Sequence, residues 1–112
     1  MAQDQRIAIV GGGLAGLAAA IALKAVGLKA EVYETAPQLG EIGAAVNTSP
    51  NANKALIAIG VGEQIAAVGN SSPGIYTRNM QTGEFLEFRD RHKTSAKYSA
   101  PYYSFQDRKS VV

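Results

Sequence analysis

The sequence predicts an α/β protein with a parallel βαβ unit at the front and an antiparallel β-hairpin behind it. Three observations carry this. An apolar strand, Ile7-Ala8-Ile9-Val10, runs into a glycine-rich turn, Gly11-Gly12-Gly13-Leu14-Ala15-Gly16. A helix rich in alanine and leucine follows, and a second apolar strand then ends on an acid, Glu34. Beyond Pro73 the spacing of apolar residues switches from a helical period to a period of two.

The opening unit is explained residue by residue. Gly11 permits the tight turn out of the strand. Gly13 has no side chain, so a pyrophosphate can approach the backbone, and Gly16 lets the helix sit close on the sheet. The free N–H groups at the start of that helix and the positive end of its dipole face the same place. The helix is expected from Leu17 to about Val26, stopping at Gly27, with Lys24 near its negative end. The second strand is expected over Ala30 to Tyr33. It delivers Glu34 a little over 20 residues past the first glycine, where a carboxylate accepts hydrogen bonds from an adenosine ribose. The glycine motif alone is a weak signal. Strand before, helix after and acid at the next strand end make it a Rossmann-like dinucleotide site rather than a bare turn.

Behind Pro37, the stretch from Gln38 to Ser49 reads as a loop punctuated by Gly40 and Gly43. A helix starts at Pro50 or Asn51, carries Ala52, Ala55, Leu56 and Ile59 at helical spacing, and ends at Gly60. A short helix over Gly62 to Val68 follows, with Ile65 and Val68 expected to face the core. A turn-rich joint, Gly69-Asn70-Ser71-Ser72-Pro73-Gly74, precedes two strands, Ile75 to Met80 and Glu84 to Arg89, linked by Gln81-Thr82-Gly83 as a hairpin loop. Asp90 to Ala100 reads as a polar loop, and Pro101 to Phe105 as one more short strand. The chain is therefore divided into 1–70, 71–105 and a patternless tail, 106–112.

Composition narrows the function. The chain has 112 residues, enough for one domain at most, and a net charge of +2. It has no cysteine, which removes disulfides, thiol nucleophiles and thiolate metal sites. The longest apolar run, Leu14 to Leu23, is too short to span a bilayer, and the N-terminus lacks a signal-peptide pattern, so a cytoplasmic chain without membrane partners is expected. The positive excess lies after Tyr76. Its cluster of Arg89, Arg91, Lys93 and Lys97 reads as a solvated loop rather than a nucleic-acid surface. His92 is the sole histidine, so no histidine metal pair can form, and it reads as solvated. Ser71 and Ser72 have no base partner in sight. Tyr98, Tyr102 and Tyr103 read as packing residues rather than a pocket lining.

Ile7 to Glu34, together with Gly40-Glu41-Ile42-Gly43-Ala44, Ser49-Pro50-Asn51-Ala52, Leu56 and Gly60-Val61-Gly62, resembles the N-terminal part of the FAD-dependent aromatic hydroxylases, the salicylate hydroxylase and para-hydroxybenzoate hydroxylase type. The resemblance covers roughly residues 6 to 105. It implies a truncated Rossmann-like FAD-binding domain followed by the start of an inserted antiparallel β-sheet substrate domain, to which residues 75 to 105 would belong. It also implies FAD as cofactor, NADH or NADPH as reductant, oxygen activation at the flavin, and hydroxylation of a small aromatic substrate. The residues it assigns to the cofactor are Gly11, Gly13, Leu14, Ala15 and Gly16 along the pyrophosphate and Glu34 on the ribose. The loop at Ile42 to Ala45 would run near the flavin.

The sequence also departs from the family. Where the family has a His-Arg pair whose arginine contacts the cofactor, this chain reads Gln106-Asp107-Arg108-Lys109-Ser110-Val111-Val112. Arg108 is out of register, and the later Asp-Gly and Gly-Asp motifs are missing. A truncated gene model, splice product or cloned fragment is therefore expected, inactive by itself. The competing readings are a non-catalytic interaction remnant and an ordinary NAD(P)-binding dehydrogenase domain. The hairpin after Pro73 argues against the second of these.

Overall fold

A computed structural model describes residues 5–39 and 45–106. Backbone contacts divide the chain into two units, Met1–Ile42 and Gly43–Val112. Arg108, the 40–44 segment with Gly40 and Gly43, and all of the expected flavin-side loop except Ala45 lie outside the described residues.

The first unit is β1 (Ile7–Val10), α1 (Leu14–Ala25) and β2 (Ala30–Tyr33). The strands pair in parallel, Ile7 opposite Ala30 and Val10 opposite Tyr33. In β1, Ile7 and Ile9 are half-buried while Ala8 and Val10 are exposed, so one face of the ribbon turns towards the helix. α1 meets it with two small residues and one leucine: Gly16, Ala20 and Leu23 are half-buried, whereas Leu17 and Ile21 lie on the exposed side. The helix begins three residues earlier than expected. Leu14, Ala15 and Gly16 are not a loop but its first turn, because the chain needs only Gly11 to Gly13 to reverse direction. Gly27, at φ +80°, ends the helix.

The second unit contains β3 (Ala45–Thr48), α2 (Pro50–Ala58), α3 (Gly62–Val68), β4 (Gly74–Arg78), β5 (Phe85–Asp90), α4 (Arg91–Tyr98) and β6 (Tyr103–Gln106). It differs from expectation at four places, β3, α4, Val68 and Arg91. The stretch assigned wholly to a loop contains β3, which pairs antiparallel with β6, Val46 opposite Phe105. The expected polar loop after Arg89 is the helix α4. Its N-cap is Asp90, whose carboxylate accepts from the amides of His92 (2.8 Å) and Lys93 (3.2 Å), and it closes on Ser99 in the left-handed region at φ 54°. Val68 does not face a core but is 65% exposed.

Asn53 is the hub of this unit. It sits in the first turns of α2 and is 1% exposed. Its amide nitrogen donates to the carbonyls of Thr48 (3.1 Å) and Pro101 (2.8 Å), tying the end of β3 to the residue pair before β6. Arg91, expected in a solvated cluster, is half-buried instead. Its guanidinium donates to the hydroxyls of Ser72 (2.6 Å) and Ser104 (3.2 Å) and stacks 3.9 Å from the ring centre of Tyr102. Arg89, Lys93 and Lys97 do remain exposed. In the hairpin, Tyr76 faces Phe88 across the strands with ring centres 4.5 Å apart.

Apolar burial is sparse. Among the described residues Pro50 and Ala100 are the only buried apolar side chains, while Leu14, Leu17, Ile21 and Val32 in the first unit and Tyr76, Phe85 and Phe88 in the second are exposed. A parallel ribbon of two strands and a hairpin of two strands each have faces and edges that normally lie under other elements. Among the described residues no helix is long and apolar enough to cross a membrane, and no cluster of His, Asp and Glu could hold a metal ion.

Candidate nucleotide-binding site

The site is built where β1 gives way to α1. Gly11 has φ +109°, a conformation that side chains rarely adopt, and its amide donates to the carbonyl of Tyr33 at 2.8 Å. This bond continues the β1–β2 pairing into the turn and fixes its entrance. At the exit, Gly16 packs against the same residue: a Cβ there would lie 1.9 Å from the carbonyl oxygen of Gly11. The turn is thus gripped from both sides, and its middle is left open. A Cβ on Gly13 would meet nothing within 4 Å.

Gly13 is the N-cap of α1, in extended conformation and with no side chain capping the helix. The first helical bond runs from the amide of Leu17 to the carbonyl of Gly13, at 3.0 Å. The amides of Leu14, Ala15 and Gly16 therefore have no partners within the helix, and the first turn carries no acidic residue. The cradle offers hydrogen-bond donors, the positive dipole end and space, the combination that suits a phosphate oxygen.

Glu34 lies directly beside this turn. One carboxylate oxygen accepts from the buried amide of Gly12 at 2.6 Å, across 22 residues of sequence, and the other from the amide of Ala36 at 2.9 Å. The hydroxyl of Thr35 adds a longer contact of 3.3 Å. The Ala36 amide, then that of Gly12, holds the Glu34 carboxyl below its usual range, against the opposing effect of desolvation. Glu34 is thus an anion at neutral pH.

The structure brings Gly11, Gly13, Leu14, Ala15, Gly16 and Glu34 together within the first unit. It adds Gly12, to which the sequence alone assigned no role. A Cβ on Gly12 would come within 3.0 Å of the Glu34 side chain, so this glycine is what lets the acid approach. His92 lies exposed in α4, with its backbone amide bonded to the Asp90 carboxylate. Ser72 is a hydrogen-bond partner of Arg91.

Residues 9–58 match the family model of an NAD(P)-binding Rossmann-like domain. Over 86 residues, 77% of this chain, the sequence is 41% identical to 6-hydroxynicotinate 3-monooxygenase of Pseudomonas fluorescens, covering 22% of that protein. It is 38% identical over 94 residues, 83% of this chain, to salicylate hydroxylase of Pseudomonas putida, covering 20% of that protein. In fold it is similar to Klebsiella pneumoniae HpxO complexed with FAD and uric acid, with a TM-score of 0.81 and 24% identity, over 95% of this chain and 26% of that one. The chain spans about a fifth to a quarter of the length of the curated relatives it matches. Sequence and backbone agree in what this chain is similar to: a portion of the FAD-dependent aromatic-ring hydroxylases.

Proposed function

We propose that the first unit holds the ADP half of FAD, as the nucleotide-binding portion of an aromatic-ring monooxygenase. The observation that carries this is the open, uncapped helix start at Gly13 with the Glu34 carboxylate beside it. The amides of Leu14, Ala15 and Gly16 would donate to the pyrophosphate, and Gly11 and Gly13 would leave room for it. Glu34 would accept from a ribose hydroxyl with the lone pairs its backbone partners leave over. A 2′-phosphate would be repelled by the same carboxylate, so the ligand carries a free ribose. When bound, FAD supplies the oxygen chemistry by which the family hydroxylates small aromatic compounds, with NADH or NADPH as the reductant.

The 112-residue chain itself does not hydroxylate in this reading. The apolar faces of α1 and of the β4–β5 hairpin are uncovered, so the chain binds nucleotide weakly and tends to associate. Saturation-transfer NMR tests the proposal, because it detects weak ligands. With FAD and with ADP as probes, saturation is expected on the adenine and ribose protons, whereas FMN, which lacks the ADP half, stays silent. Gly13→Val, whose Cβ would meet no protein atom within 4 Å, is expected to abolish the signal. Wild-type binding by that variant would refute the assignment.

A further inference from the structure

We propose that Glu34 is a positioning residue that sets the shape of the glycine turn before any nucleotide arrives. Both carboxylate oxygens are already engaged by the chain's own backbone, one on Gly12 and one on Ala36. The Gly12 bond is the long-range one. It links the end of β2 to the middle of the turn, next to the Gly11–Tyr33 bond that links the same two segments one residue earlier. Two adjacent backbone amides of the turn are therefore pinned to β2, one by a carbonyl and one by a side chain. Gly12 is buried with the Glu34 side chain lying against it, so its amide is shielded while this bond is made.

A glycine-rich segment has the most conformational freedom to lose on ordering. If the nucleotide had to order it, binding would carry that cost. The Glu34 latch moves the cost into folding. The importance of this for cofactor binding rests on the nucleotide reading above, but the latch itself does not, and it is measurable with no nucleotide present.

The latch makes an expectation that a ribose contact alone would not make. Side-chain reach matters more than charge. Glu34→Gln keeps the length and a carbonyl oxygen that can accept from Gly12. Glu34→Asp keeps the charge but is one methylene short. The experiment is residue-resolved amide hydrogen exchange on the full 112-residue chain, without nucleotide, comparing Glu34→Ala, Glu34→Gln and Glu34→Asp. The Gly12 amide is expected to exchange about tenfold faster in Glu34→Ala. Glu34→Gln is expected to restore most of the protection and Glu34→Asp little of it. The Leu28 amide, which bonds to the Leu23 carbonyl at the far end of α1, serves as the control and is expected to be unchanged. Gly12 exchange indifferent to Glu34→Ala would overturn the latch. So would equal acceleration of Gly12 and Leu28, which is general unfolding, or rescue by Asp rather than Gln. Loss of FAD binding in Gly13→Val with an intact latch, or an intact latch in a chain that never binds FAD, tells the two proposals apart.

Discussion

Two single-methyl additions, three residues apart, test how the glycine turn is built. Gly16→Ala places a Cβ 1.9 Å from the Gly11 carbonyl oxygen and 3.0 Å from its carbon, with the Ile9 side chain 3.3 Å away. An ordinary carbon–oxygen contact needs well over an ångström more. The obstacle is backbone, not a side chain that can rotate. Relief requires α1 to move off β1 or the turn to reopen, and overpacking of this kind costs about 1–3 kcal/mol. Gly13→Ala adds the same methyl with nothing within 4 Å, at an extended N-cap position open to any residue. Alanine is a poorer N-cap than glycine by a fraction of a kcal/mol, and the loss of unfolded-state freedom offsets about that much. The expected difference between the variants is therefore about 2 kcal/mol, or roughly thirtyfold in local opening. Hydrogen exchange of backbone amides across β1 and α1 reads it without requiring a cooperative melt. Gly16→Ala is expected to lose protection throughout this segment, and Gly13→Ala to keep it while losing nucleotide. Equal protection in the two variants would refute the account of the turn as gripped at its ends and empty in its middle.

Acid should release the Glu34 latch. Its carboxyl is held below the usual range by the Ala36 and Gly12 amides, so its contribution is complete above the unfolded-state value. It is lost as pH falls through the lower folded-state value. Gly12 protection, corrected for intrinsic exchange, should stay level from neutral pH into the ordinary carboxylate range and decline only below it, and a decline near neutrality would contradict this. In the second unit, Asn53→Ala removes the donor shared by the Thr48 and Pro101 carbonyls and leaves a void in a fully buried position. A loss of about 2–4 kcal/mol in urea unfolding is expected, and a change below about 0.5 kcal/mol would show that the clamp holds nothing.

The legible parts of the chain were those whose cause is local. The glycine turn, the helix after it and the acid at the next strand end follow from which residues tolerate positive φ, which permit close approach, and which end a strand. The hairpin followed from alternation around Gly83, which has φ +73° in the structure. β3 was invisible because four residues, Ala45–Thr48, become a strand only by pairing with β6 more than 50 residues later. α4 was hidden for a different reason. Its sequence, Arg-His-Lys-Thr-Ser-Ala-Lys-Tyr, has no apolar stripe, and the usable signal was Asp90 as a cap.

By itself the sequence determined the βαβ unit, its glycine turn and the resemblance to a family, since each depends on residue types at short fixed spacings. Only the tertiary structure decided that Glu34 spans the turn to Gly12, that Asn53 ties two carbonyls from distant segments, and that Arg91 stacks on Tyr102 rather than standing in water. These contacts join positions 22 or 48 residues apart in the first two cases. Hydrophobic periodicity carries no record of such partners, because a polar side chain's worth depends on which group the folded chain sets against it.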